Sequence, residues 1–127
     1  MTVTLKIFVF LIGALFLFLG LAGLFTPENF ANSLGLEMTN PEGAGTVRAM
    51  IGAHYVAMGG VCFYAVIRQT AVLLIPIAAI EVVMVIARGI AAVNGEVSSA
   101  TLVPTTIEIL AVAIPVSYTH LTLPTKA

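Results

Sequence analysis

The side chains in this sequence that could do chemistry inside a membrane are Arg48, His54, Glu81, Arg88 and Glu108. Glu81 and Arg88 fall in one apolar run, LLIPIAAIEVVMVIARGIAAV from Leu73 to Val93, which is long enough to cross a bilayer. An ionisable group at mid-membrane costs about 2.5–3.5 kcal/mol, so both must face something other than lipid. Their seven-residue spacing is almost two helical turns. The two side chains therefore leave the same face about 10 Å apart along the axis, aligned but unable to pair directly. Partners have to come from other segments.

Depth suggests which. Arg88 lies five residues below the end of its span if that end is Val93, and Glu108 seven below the start of the next if that start is Thr101. A short connection makes these helices antiparallel neighbours, so an Arg88–Glu108 ion pair is expected. Arg48 enters from the same side of the membrane and either joins them or snorkels to the headgroups. Glu81 and His54 lie nearer the midplane, where a contact between them is a further candidate. Two readings stay open: the groups fix helix register and satisfy one another, or they line a ligand or proton site.

Other reactive side chains offer little. Cys62 is the single cysteine, which excludes an intramolecular disulfide and a multi-cysteine metal site. It shares a face with Arg48 but lies about 21 Å along the axis, too far to be activated by it. Tyr55 and Tyr64 read as packing or interface residues. P-loop, Rossmann, zinc and hydrolase motifs are absent. No catalytic residues and no metal ligands are expected, the cofactor is unknown, and the balance leans against an enzyme.

The elements that must position these groups follow from composition. Hydrophobic residues make up 60% and charged residues 9% of the 127 residues, against about a quarter charged in soluble proteins. Mean hydropathy is +1.12. This is the composition of a membrane protein, with room for about four spans and no separate soluble domain. A formal charge of −1 leaves no basic surface for nucleic acid.

The first span is expected from Val3 to Phe25, too long an apolar stretch for a signal peptide, with Gly13 and Gly20 on one stripe where a neighbour can approach closely. Thr26-Pro27-Glu28 reads as a helix start, with Thr26 as the cap, so Pro27 to Leu34 is expected as a short helix lying in the interface and closed by Gly35. The following GLEMTNPEGAG reads as a polar loop. The second span is expected from Thr46 to Ile67. Arg48, Gly52, Tyr55, Gly59 and Cys62 form one face of it, and Ala49, Ala53 and Ala57 a second small-residue row. Arg68-Gln69-Thr70 is a tight turn into the third span, where Pro76 is placed to bend the helix near its start. A polar connection at Asn94-Gly95-Glu96 leads to the fourth span from Thr101.

After Ile114 the character changes. Val116 to Thr125, VSYTHLTLPT, resembles the translation of a transposase adapter used in sequencing libraries. Residues 115–127 are therefore expected to be adapter-derived, leaving 1–114 as a single integral membrane domain with a shortened fourth helix. Tyr118, His120 and Lys126 then carry no functional information.

The architecture expected is an all-α, four-transmembrane-helix bundle with a short interfacial helix after the first span. Lys6 and Arg68 lie on one side and Glu28, Glu37, Glu42 and Glu96 on the other, so the positive-inside rule places the N-terminus in the cytoplasm of a multi-pass inner-membrane protein.

The Leu24-Phe25-Thr26-Pro27 start, the Leu34-Gly35-Leu36 turn, Arg48-Ala49-x-x-Gly52, the Arg88 to Gly95 segment and Glu108-Ile109-Leu110 resemble a family of small bacterial membrane proteins of unknown function, itself similar to the DoxX-like four-helix proteins. The chain departs from the family pattern at Ile51 and Ala53. The resemblance implies a four-helix membrane bundle with equivalents of Arg48, Arg88 and Glu108, and brings no established reaction. Three functions follow as expectations. The first is a non-enzymatic membrane protein held by its Arg/Glu network, with the bilayer and a membrane partner subunit or second copy as partners. The second is a redox-associated subunit binding a quinone-like or lipid ligand between helices. The third is a small transporter or proton pathway using Glu81 and His54.

Overall fold

The computed structural model describes residues 1–96, 98, 99, 102 and 105–113, and its regular elements are all helical among these. Helix α1 (Val3–Phe25) starts at Thr2, whose hydroxyl accepts from the Leu5 amide at 3.4 Å. Its buried residues, Leu5, Val9, Gly13, Phe16, Gly20 and Gly23, are spaced by four or three and form one stripe. That stripe carries a close helix contact. Gly13 meets Cys62, Gly20 meets Val56 and Gly23 meets Gly52, so the partner helix runs antiparallel to α1. A Cβ on Gly20 would stand 2.6 Å from the Val56 backbone nitrogen, so the two backbones touch where only hydrogen fits.

Helix α2 (Pro27–Ser33) begins where expected, but Thr26 does not cap it. The Thr26 hydroxyl instead donates backwards to the Ala22 carbonyl at 3.0 Å, serving the open C-terminal turn of α1. Gly35, at φ +75°, closes α2: its amide donates to Asn32 O and the Leu36 amide to Ala31 O. Phe30 and Ala31 are buried with Val47, tying α2 to the bundle.

The expected polar loop ends early. Asn40 Oδ1 accepts from the Gly43 amide at 3.0 Å, Pro41 takes the first helical position, and helix α3 (Pro41–Thr46) starts there. It continues through a π-helical turn (Val47–Gly52) into α4 (Ala53–Arg68), giving one 28-residue helix from Pro41 to Arg68. Gly43 and Gly45 each lower helix propensity by about 1 kcal/mol, which made this stretch read as loop; the cap and the continuity with α4 prevail.

The π turn has a consequence for the faces. One extra residue per turn rotates what precedes it by about 100° relative to α4. Gly52, Gly59 and Cys62 are buried as expected for the seam and Tyr55 is half-buried, whereas Arg48 is carried out to an exposed position. The row Ala49, Ala53 and Ala57, expected as a second packing surface, faces outward.

Arg68, Gln69 and Thr70 make the tight turn. Gln69 adopts the left-handed conformation at φ 57°, and the Thr70 amide donates to Ala65 O at 3.0 Å. A short 3₁₀ turn (Ala71–Leu73) leads into α5 (Leu74–Val93). Pro76 is the third residue of α5, where an amide would have no partner within that helix, so no bend is required. Leu74, Ile77 and Glu81 are buried, and Met84, Arg88 and Ala91 continue the same stripe half-buried.

Residues 105–113 are helical, and their Ala111 joins a core made by Leu5, Val9 and Phe16 of α1, Met58, Cys62 and Ala65 of α4, and Leu74 and Ile77 of α5. Of the fourth span expected over residues 101–114, only 102 and 105–113 are described, and the expected adapter run at 115–127 lies outside the described residues. Three helices among the described residues are long and apolar enough to cross a membrane: Val3–Phe25, Pro41–Arg68 and Ala71–Val93. Large apolar side chains such as Phe18, Met50, Ile67 and Val83 point outward, the arrangement of a protein whose solvent is lipid.

Candidate functional site

Glu108 enters from the 105–113 helix and is 4% exposed, so its carboxylate has left water almost completely. Arg88, on the inward stripe of α5, meets it with two parallel contacts, Nη2 to Oε1 at 3.2 Å and Nε to Oε2 at 3.3 Å. The fork geometry fixes the rotation of both helices about their axes as well as their relative height. The two ends of the pair differ: 32% of the Arg88 side chain remains exposed against 5% for Glu108.

Two helical turns away on α5, Glu81 is 1% exposed, and neither carboxyl oxygen has a hydrogen-bond partner among the described residues. An unpaired buried polar group costs about 1–3 kcal/mol, and more when charged. Glu81 lines a cavity of 340 Å³ that also has Phe16 and Leu19 of α1, Phe30 of α2, Tyr55 of α4, and Ile107 and Glu108 at its walls. That volume lies in the range of small-molecule sites, and the lining of apolar side chains with a few convergent polar groups has the usual composition of one. The Phe16 and Tyr55 rings pack at 5.7 Å between centroids, which holds Tyr55 against α1 at the cavity wall.

The remaining expected site residues go elsewhere. Arg48 Nε donates to the Leu24 carbonyl at 2.9 Å, placing a guanidinium at the electronegative C-terminal end of α1 rather than beside Arg88 and Glu108. His54 is exposed and packs edge-on to the neighbouring Tyr55 ring at 6.3 Å, so the candidate contact between His54 and Glu81 is not made. The physical reason is angular: His54 precedes Tyr55 on α4, and when Tyr55 turns toward the cavity His54 is about 100° away, on the outer surface. Among the described residues no group of three or more His, Cys, Asp or Glu could hold a metal ion.

A profile described as Domain of unknown function (DUF4345) matches residues 4–120, which is nearly the whole chain. The chain belongs to the DUF4345 family. The match runs through residue 120 and so takes in Val116 to His120 of the run expected to be adapter-derived. No curated protein and no solved structure matches the chain.

In this DUF4345 chain the cavity has walls beyond the site residues expected from sequence. Sequence spacing puts Tyr55 on the seam with Gly52 and Gly59, as a packing residue. Phe16 lies on the glycine stripe of α1, three residues after Gly13 and four before Gly20, and that spacing was the available signal. Phe30 had none, because its position depends on α2 folding back under α1.

Proposed function

We propose that this DUF4345 protein is a non-enzymatic, multi-pass membrane protein that binds a small, mainly apolar molecule between its helices, in a bundle whose register is held by the Arg88–Glu108 pair. The single observation carrying this reading is the 340 Å³ cavity with Glu81 at its wall, 1% exposed and without a partner for either oxygen. A carboxyl placed only to fix register would have its hydrogen bonds satisfied within the protein, as those of Glu108 are; a carboxyl that waits for a ligand would not. On this reading the 105–113 helix belongs to a fourth span of a DoxX-like bundle and α2 lies at the membrane surface. Lys6 and Arg68 sit at the same end of the antiparallel α1 and α4, which supports a cytoplasmic N-terminus in the inner membrane. The adapter origin of residues 115–127 is part of the same proposal; amplifying the locus from genomic DNA tests it, and a native coding run for VSYTHLTLPT would refute it.

The test is native mass spectrometry of protein purified in mild detergent, comparing the parent chain with Leu19→Trp, which fills the cavity from α1. A bound small molecule or single lipid is expected on the parent chain and absent from the variant. Equal retention by both would remove the cavity as its site. A quinone-like ligand is the second reading, favoured by the apolar wall of Leu19, Leu34 and Ile107. The same spectra distinguish it by mass.

A further inference from the structure

We propose that the cavity takes a lipophilic organic ammonium ion, paired to Glu81 and enclosed by the rings of Phe16, Phe30 and Tyr55. The proposal rests on the ligand-binding reading above and names the chemical class of the ligand.

The first argument is a charge count. Two carboxyl groups line the cavity, Glu81 and Glu108, and a single guanidinium answers them. Arg88 makes two contacts with Glu108, one to each oxygen. The other described arginines and lysine are elsewhere: Arg48 bonds the Leu24 carbonyl, Arg68 lies over the Tyr64 ring at 5.9 Å, and neither Lys6 nor the N-terminus is at the cavity wall. With both carboxyls ionised, the cavity is thus one positive charge short among the described residues.

The second argument is hydrogen-bond polarity. An ionised carboxylate only accepts, and both oxygens of Glu81 are open. A guest that pairs with the ionised form must donate, which favours an ammonium or hydroxyl group over a ketone or quinone oxygen.

The third argument separates those two donors. Phe16, Phe30 and Tyr55 bring three ring systems to the wall of the cavity that Glu81 lines. Aromatic faces attract a cation through the ring quadrupole, most strongly when water is excluded, and do nothing comparable for a neutral hydroxyl. Of the remaining wall, Leu19, Leu34 and Ile107 are hydrocarbon and Ser33 and Ser99 add two hydroxyls, so the cation must carry a mainly apolar body.

The test is a ¹⁹F NMR titration of the full chain in detergent micelles with three probes of similar size: 4-fluorobenzylamine, 4-fluorobenzyl alcohol and 4-fluoroacetophenone, each corrected for partition into empty micelles. The amine is expected to bind saturably and at least about tenfold more tightly than either neutral probe. Glu81→Gln is expected to abolish that preference, and Glu81→Asp, which keeps the charge, to retain it. Protection of Cys62 from maleimide reports that each variant is folded. Neutral probes binding within about threefold of the amine on the parent chain would overturn the proposal without recourse to any variant, as would a folded Glu81→Gln that keeps the amine preference. Neutral probes that bind saturably and are lost in Leu19→Trp would leave the cavity as a ligand site while removing the cation. Absence of saturable binding by all three would remove both.

Discussion

Replacing Arg88 and Glu108 singly and together separates the two ends of the buried pair. A hydrogen bond to a charged group contributes about 1.5–3 kcal/mol. The two contacts here, at 3.2 and 3.3 Å, are long for charge-assisted bonds, so the lower figure applies to each. Arg88→Met removes both bonds and strands Glu108 at 4% exposure, which gives a loss of about 3 kcal/mol, the lower edge of what breaking a buried pair costs. Glu108→Gln costs less, about 1 kcal/mol, because glutamine still offers an acceptor and the Arg88 side chain, 32% exposed, can turn toward a polar surface. Arg88→Met combined with Glu108→Leu leaves no stranded charge and is expected within about 1 kcal/mol of the parent. The assay is unfolding in mixed micelles of increasing sodium dodecyl sulfate, read by maleimide labelling of Cys62, which is 2% exposed when folded. A double variant as unstable as Arg88→Met, or a Glu108→Gln loss larger than the Arg88→Met loss, would refute the reasoning.

The same assay checks the remaining predictions. Gly20→Ala, whose new Cβ meets the Val56 nitrogen at 2.6 Å, is expected to cost about 1–3 kcal/mol by prising α1 from α4. Gly60→Ala, whose new Cβ faces open space, is expected to be neutral or to stabilise by up to about 1 kcal/mol; equal losses at the two sites would refute the close approach. Asn40→Ala removes the cap of the Pro41–Arg68 helix and is expected to cost about 1 kcal/mol, and hydrogen exchange at the Gly43 amide should rise first. Gln69→Gly relieves the left-handed φ of 57° at the end of α4 and is expected to raise the unfolding midpoint by the equivalent of about 0.5–1 kcal/mol, a lowered midpoint being the contrary result.

The elements that could be read from residue order are those whose signals are local. A run such as Val3 to Phe25 has too little polarity to be anything but a span, and Gly35 and the Asn94-Gly95-Glu96 connection mark breaks between helices, where both glycines take a φ of +75°. Gly13 and Gly20 announced a close neighbour, and the antiparallel α1–α4 seam follows from them. The Arg88–Glu108 pair was also legible, because a short connection makes equal depth a matter of counting residues from a helix end. The helix start at Asn40-Pro41 was present as a cap and a first-position proline, and two glycines obscured it.

Angular position about a helix axis was where reading along the chain failed. The π turn at Val47–Gly52 inserts a rotation that no periodic template contains, and it sends Arg48 to the end of α1 and away from the pair. His54 and Tyr55 differ by one residue, yet one faces outward and the other a cavity, because the α1–α4 seam chooses which side of α4 is inside. The cavity itself has no sequence signature: its walls come from α1, α2, α4, α5 and the helix of residues 105–113, separated by up to 92 residues between Phe16 and Glu108. Sequence alone determined that Glu81 lies in an apolar helix at a cost. Tertiary structure decided that no described side chain answers it, because a partner depends on which faces five segments turn toward one another, and packing sets that rotation.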